Sequence, residues 1–148
     1  MKKTLFTATL LAASLMAAST VQAAPQEVTM WHYFDQKPEQ EMLADMVEEY
    51  NSLQDDIHIN ATFVSRTELM NQYTVGALSG ELPDIGQVDS PDMESYISLG
   101  VFEDITDELE SWGELDQFYD GPLSSCKDPD GKVYGLPQNS NCLKSEAK

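Results

Sequence analysis

The chain has 148 residues, 26 of them acidic and 8 basic, for a formal net charge of −18 at pH 7. That balance leaves no basic surface to collect phosphates and argues against nucleic acid or an anionic membrane as a partner. Cys126 and Cys142 are the only cysteines, and His32 and His58 lie far from them in sequence, without the spacing of a zinc site.

The chain opens with a short cationic start, Met1-Lys2-Lys3, followed by an uncharged run from Thr4 to Thr20 that is rich in Leu and Ala. Val21 and Ala23 place small residues where a leader peptidase reads them, so residues 1–23 are predicted to be a signal peptide cleaved after Ala23. The apolar core is shorter than the roughly 20 residues of a spanning helix and is interrupted by Thr and Ser. Loss of Lys2 and Lys3 leaves residues 24–148 with a net charge of about −20. Most of these acids alternate with apolar residues at structural periods and read as a solvated face.

Residues 28–34, Val-Thr-Met-Trp-His-Tyr-Phe, are strand formers and predict a first strand. Pro38 then suits a first helical turn, and Leu43, Met46, Val47, Tyr50 and Leu53 recur at helical steps as one apolar stripe. Ile57, Ile59, Ala61 and Phe63 alternate with polar residues, predicting a second strand with one buried face. Ser65 and Glu68 have capping-box spacing ahead of a helix carrying Leu69, Tyr73 and Ala77, which Gly80 and Pro83 stop. Ile85 to Val88 predicts a short third strand. Ser90 and Pro91 predict the start of a helix that ends at Gly100. Thr106 is a candidate cap for a helix through Leu109 and Trp112. Asp128-Pro129-Asp130-Gly131 is a turn signal, and Val133 to Leu136 reads as a strand.

Strands and helices in alternation predict an α/β fold with a parallel sheet covered on both faces. In such sheets a ligand crevice lies outside the C-terminal ends of the strands. That rule gathers three junctions on one rim: Tyr33 to Asp35, Ser65 to Arg66, and Asp89 to Ser90.

No glycine-rich phosphate loop stands at a strand–helix junction. Asp128, Asp130 and Gly131 lack the remaining spacing of a calcium loop, and Ser90 lacks the flanking glycines of a nucleophile elbow. No catalytic residue, metal or cofactor is expected. Binding chemistry is better supported, because sugars call for planar hydrogen-bonding groups and flat rings against their C–H faces. Tyr33, Phe34, Asp35, Ser65, Arg66, Asp89 and Asn139 are the candidates. Trp31, and either Tyr33 or Phe34, have packing in the sheet as an equal alternative, and Arg66 has an ion pair with a neighbouring acid. Cys126 and Cys142 have two open readings. One is a disulfide closing a loop of roughly 16 residues, worth about 3 kcal/mol; the other is a reactive thiol.

Several segments together resemble the bacterial extracellular solute-binding protein family 1, the sugar-binding subunits of ABC transporters. They are Trp31-His32-Tyr33-Phe34, Met46-Val47-Glu48-Glu49-Tyr50-Asn51, Ser79-Gly80-Glu81-Leu82-Pro83-Asp84-Ile85 with Val88-Asp89, Leu99 to Asp107, and Asp130-Gly131-Lys132-Val133-Tyr134-Gly135-Leu136-Pro137. The resemblance implies a periplasmic binding protein-like fold, with residues 24–148 forming part of the N-terminal lobe of a two-lobe receptor. It also implies a carbohydrate ligand held between the lobes, and closure onto membrane permease subunits. Nothing in the family pattern carries over to the cysteines. Beyond Asn141 the residues depart from that pattern, so the chain reads as a fragment that lacks the second lobe and binds ligand weakly. Other readings are a receptor for a polyol, polyamine or iron complex, a secreted interaction module, or a nonfunctional remnant.

Overall fold

The computed structural model describes residues 24–139; the leader, Cys142 and the rest of the C-terminal end lie outside the described residues. Three parallel strands form the sheet, in the order β2-β1-β3. They are β1 (Gln26–His32), β2 (Ile57–Phe63) and β3 (Ile85–Gly86). β1 pairs with β2 along its whole length, Gln26 with Ile57 through His32 with Phe63. It meets β3 only at Met30–Ile85 and Trp31–Gly86. The third strand is therefore shorter than the sequence predicts.

Five helices follow the strands: α1 (Lys37–Leu53), α2 (Arg66–Ser79), α3 (Met93–Ser98), α4 (Thr106–Trp112) and α5 (Asp120–Ser124). The β1–α1–β2 crossover runs one way across the sheet, and β2–α2–β3 runs back past β1. Right-handed crossovers in opposite directions place α1 and α2 on opposite faces. On the α2 face, Leu69, Tyr73 and Tyr96 form the core, with Trp31, Tyr33 and Phe102 packed against it. The Tyr73 ring lies 5.3 Å from Trp31, 5.2 Å from Tyr96 and 5.8 Å from Phe102, within the range of favourable aromatic pairs.

The α1 face is thinner. Of the predicted stripe, Leu43 is buried and Val47 half-buried, while Met46 is 54% and Leu53 75% exposed. Asp84 fastens β3 to β1 just below their pairing. Its Oδ2 accepts bonds from the Thr29 backbone N–H and the Thr29 hydroxyl, both at 2.7 Å. These bonds, the backbone one first, hold its carboxyl below the ordinary range.

Three local expectations are corrected. Ser65 is the N-cap of α2, but its hydroxyl meets Thr67 at 3.1 Å and makes no side-chain cap bond. Asp89 rather than Ser90 precedes the Ser90–Asp92 3-10 turn, which leads into α3. Thr106 is the first residue of α4 rather than its cap, and its hydroxyl accepts from Val133 N at 2.9 Å. Val133 to Leu136 joins no sheet among the described residues, and the backbone groups of Val133 and the Tyr134 N–H are bonded elsewhere. Val133 O accepts from Ile105 N at 2.9 Å, Tyr134 N donates to Cys126 O at 2.9 Å, and Val133 forms only an isolated bridge with Lys127. The Asp128–Gly131 turn forms as expected, closed by Gly131 N to Asp128 O at 3.0 Å.

Candidate functional site

In a 2-1-3 sheet the chain reverses its direction of winding between β1 and β3, and the C-terminal ends of those strands flank a crevice. Tyr33 follows β1, Arg66 opens α2 just after β2, and Asp89 stands beyond β3. The three side chains meet. The Arg66 guanidinium pairs with Asp89 Oδ2 and lies 5.2 Å from the centre of the Tyr33 ring, in cation–π range. The Tyr33 hydroxyl donates to Asp89 Oδ1 at 3.4 Å. Burial, only partly offset by the nearby Arg66, holds the Tyr33 phenol above its ordinary pKa, so it keeps its proton as a donor.

Two glutamines brace this arrangement. Tyr33 N donates to Gln87 Oε1 at 3.1 Å, and Gln87 Nε2 donates to Gln138 Oε1 at 2.9 Å. A groove of about 730 Å³ runs from Tyr33, Asp89 and Asn139 down along β3, and its volume falls in the range of small-ligand sites.

Of the residues singled out from sequence, Tyr33, Arg66 and Asp89 are thus in mutual contact, and Asn139 lines the same groove. Ser65 is half-buried beside them. Phe34 is a core residue, 3% exposed, on the opposite face of the chain beside the His32 ring at 6.1 Å. Asp35 is exposed and accepts from the Gln36 side chain at 2.9 Å, away from the groove. Gln87 and Gln138 were missed: Gln87 fell inside the strand predicted over Ile85 to Val88, which in the structure ends at Gly86, and Gln138 is the neighbour of the named Asn139. Cys126 is buried and lines the groove, with its thiol pKa raised by burial. Among the described residues no three metal-binding side chains cluster, and no helix is long and apolar enough to cross a membrane.

No protein-family model matches the chain, and no curated protein matches it by sequence. Solved structures do match. One is the galacto-N-biose-/lacto-N-biose I-binding protein of the ABC transporter from Bifidobacterium longum, in complex with lacto-N-biose. It is 26% identical, with a TM-score of 0.68 over 80% of this chain and 30% of that one. Over most of its length the chain has the fold of part of that ABC-transporter sugar-binding protein. A cyclic alpha-maltosyl-1,6-maltose binding protein from Arthrobacter globiformis is 28% identical, with a TM-score of 0.53 over 71% of this chain and 24% of that one. An ABC substrate-binding protein from Listeria monocytogenes, in complex with cycloalternan, shares the fold at 21% identity. Its TM-score is 0.66 over 75% of this chain and 28% of that one. The chain spans less than a third of the length of each of these solute-binding proteins.

Proposed function

We propose that residues 24–148 form part of the N-terminal lobe of an extracytoplasmic receptor that captures a sugar or oligosaccharide for import by an ABC transporter. Residues 1–23 are its export signal, cleaved after Ala23, and the periplasm is its place of work. The observation that carries this reading is the meeting of Tyr33, Arg66 and Asp89 at the switch point of the sheet. A ring face, a fork of N–H donors and a carboxylate side by side are the groups a pyranose engages. Two relatives above 25% identity bind lacto-N-biose and cyclic alpha-maltosyl-1,6-maltose, which supports the same ligand class here. The site works by binding, with no bond made or broken.

Asp89 favours a neutral ligand over a polyamine or an iron complex. Its carboxylate is already matched by the Arg66 guanidinium, so a cation arriving there would have to displace an existing charge partner. Ligand in this groove touches one wall; the opposing wall belongs to a second lobe. Closure follows only if ligand contacts both walls and so binds the closed state more tightly. Permease docking would then follow closure.

Nuclear magnetic resonance titration of the chain with neutral oligosaccharides and with spermidine tests the assignment. The Tyr33, Arg66 and Asp89 signals are expected to move with oligosaccharide in the millimolar range, about 4 kcal/mol of binding. Asp89→Ala should abolish the movement while leaving the amide spectrum of β1 and β2 in place. Movement with spermidine alone would replace the sugar assignment with a cationic solute.

A further inference from the structure

A glutamine side chain has an accepting end and a donating end, and its partners decide which way it lies. At Gln87 the direction is forced. The Tyr33 backbone N–H can only donate, and at 3.1 Å it takes Gln87 Oε1. Gln87 Nε2 is thereby turned to Gln138, where it donates to Oε1 at 2.9 Å. A third bond fixes the residue, since Gln87 N donates to Trp31 O at 2.9 Å. Gln87 is thus fastened to the β1 end by main chain and side chain together, one residue beyond β3.

The relay has one polarity from end to end. Tyr33 donates to Gln87 and Gln87 donates to Gln138, so the end of the Gln138 amide outside the relay is its NH2. Gln138 is exposed and lines the groove beside Asn139. Asp89, on the same groove, has the opposite character, because a carboxylate only accepts. Its Oδ2 is held by Arg66, while its Oδ1 accepts from the Tyr33 hydroxyl at 3.4 Å, a long bond that a nearer donor would displace. The groove therefore offers an acceptor at Asp89 and a donor at Gln138.

We infer that Gln138 is a specificity-determining contact that donates from Nε2 to an oxygen of the captured saccharide, and that Gln87 is the positioning residue that sets its direction. Resting on the sugar reading, this assignment narrows it. The ligand brings a donor to Asp89 and an acceptor to Gln138, and the hydroxyl groups and ring oxygens of a saccharide supply both. A protonated amine carries donors only, so a polyamine spanning the two would set N–H against N–H at Gln138. The direction of the amide is fixed before ligand arrives, which spares binding the cost of ordering it.

The test titrates the full isotope-labelled chain with lactose, maltose and maltotriose. The side-chain NH2 signals of Gln138, identified by their loss in Gln138→Leu, are followed beside the Tyr33 and Asp89 signals. All three residues should move in the parent chain, a readout that does not depend on any variant folding. Gln138→Leu should weaken binding about fivefold, as for one lost hydrogen bond. Gln87→Glu still accepts from Tyr33 N but cannot donate, so Gln138 turns its NH2 to the new carboxylate and its oxygen to the groove. That change should weaken binding to a similar degree, and adding it to Gln138→Leu should cost nothing more. Were Gln87 merely structural, the two losses would add. The inference alone is overturned if Tyr33 and Asp89 move while the Gln138 NH2 signals stay still, or if the losses add. If none of the three residues moves with any of these sugars, the sugar reading falls and this inference falls with it.

Discussion

At Tyr73 the core holds a polar atom that none of the described residues satisfies. The side chain is fully buried and stacks among Trp31, Tyr96 and Phe102, and burial drives its phenol pKa far up. Leaving a hydroxyl unpartnered in that setting costs about 1–3 kcal/mol, so Tyr73→Phe is expected to raise stability in urea denaturation by about 1 kcal/mol. The neighbouring residue has the opposite constraint. A Cβ at Gly86 would collide with that hydroxyl and sit 3.0 Å from Phe102 Cε1, so Gly86→Ala should cost about 1–3 kcal/mol. Combining Gly86→Ala with Tyr73→Phe should recover part of the loss, since the colliding atom is gone; strict additivity would refute the clash. The residue scale also shows how far the site could be read from sequence. Tyr33 and Phe34 are adjacent in an extended chain, so only one of them could face the crevice. Sequence named both, because ring chemistry does not reveal which face is in. The contact of Tyr33 with Arg66 and Asp89 required the strand order, which residue types alone do not state.

At the scale of elements, alternation along 57–63 and the helical steps of 43–53 were legible because local periods encode them, and the helix over 66–79 from the start and stop residues Ser65 and Gly80. What periodicity could not carry was the depth of burial. The α1 stripe is present, yet Met46 and Leu53 face outward, because burial depends on what lies opposite the helix rather than on its own pattern. The strand expected over 133–136 failed for a related reason. The backbone groups of Val133 and the Tyr134 N–H are taken by Ile105, Thr106 and Cys126, and such long-range competition leaves no local mark. The outer edge of β2, sealed where the Asn51 amide bonds Ile59 N and O, gives a direct test at this scale. Asn51→Ala frees both backbone groups of Ile59 and should lower stability by about 1–2 kcal/mol. An unsealed edge also invites pairing with other chains, so sedimentation of the variant should show association that the parent lacks.

For the whole molecule, acidity and burial together set the pH range of the fold. His32 is buried between Phe34 and Phe63 with its Nδ1 unpartnered, and desolvation lowers its pKa below 6.5. The unfolded chain therefore takes up the proton first as pH falls. Stability should be fully present above about pH 6.5 and decline as pH drops from there through the lower folded-state value. In His32→Phe the decline between pH 7 and 5.5 should be shallower, as read from urea midpoints; an unchanged slope would remove His32 as its source. A second loss is expected in stronger acid. Hydrogen bonds from Thr106, with Lys132 adding a further bond, lower the Asp104 pKa to about 2. The stability this carboxylate lends is present above its unfolded value and disappears as pH falls toward 2.

The strand order also has a consequence for the way the chain is made. β1, the central strand, is the first to be synthesised, while its two neighbours follow some 25 and 53 residues later, at Ile57 and Ile85. During that interval Val28, Met30 and Trp31 stand with both flanks bare, and no hairpin can shield them because every pairing in the sheet is parallel. A nascent chain built this way carries these apolar strand residues exposed until the helical crossover is complete, an aggregation-prone interval. Slowing the ribosome just after Phe63 should lengthen that interval.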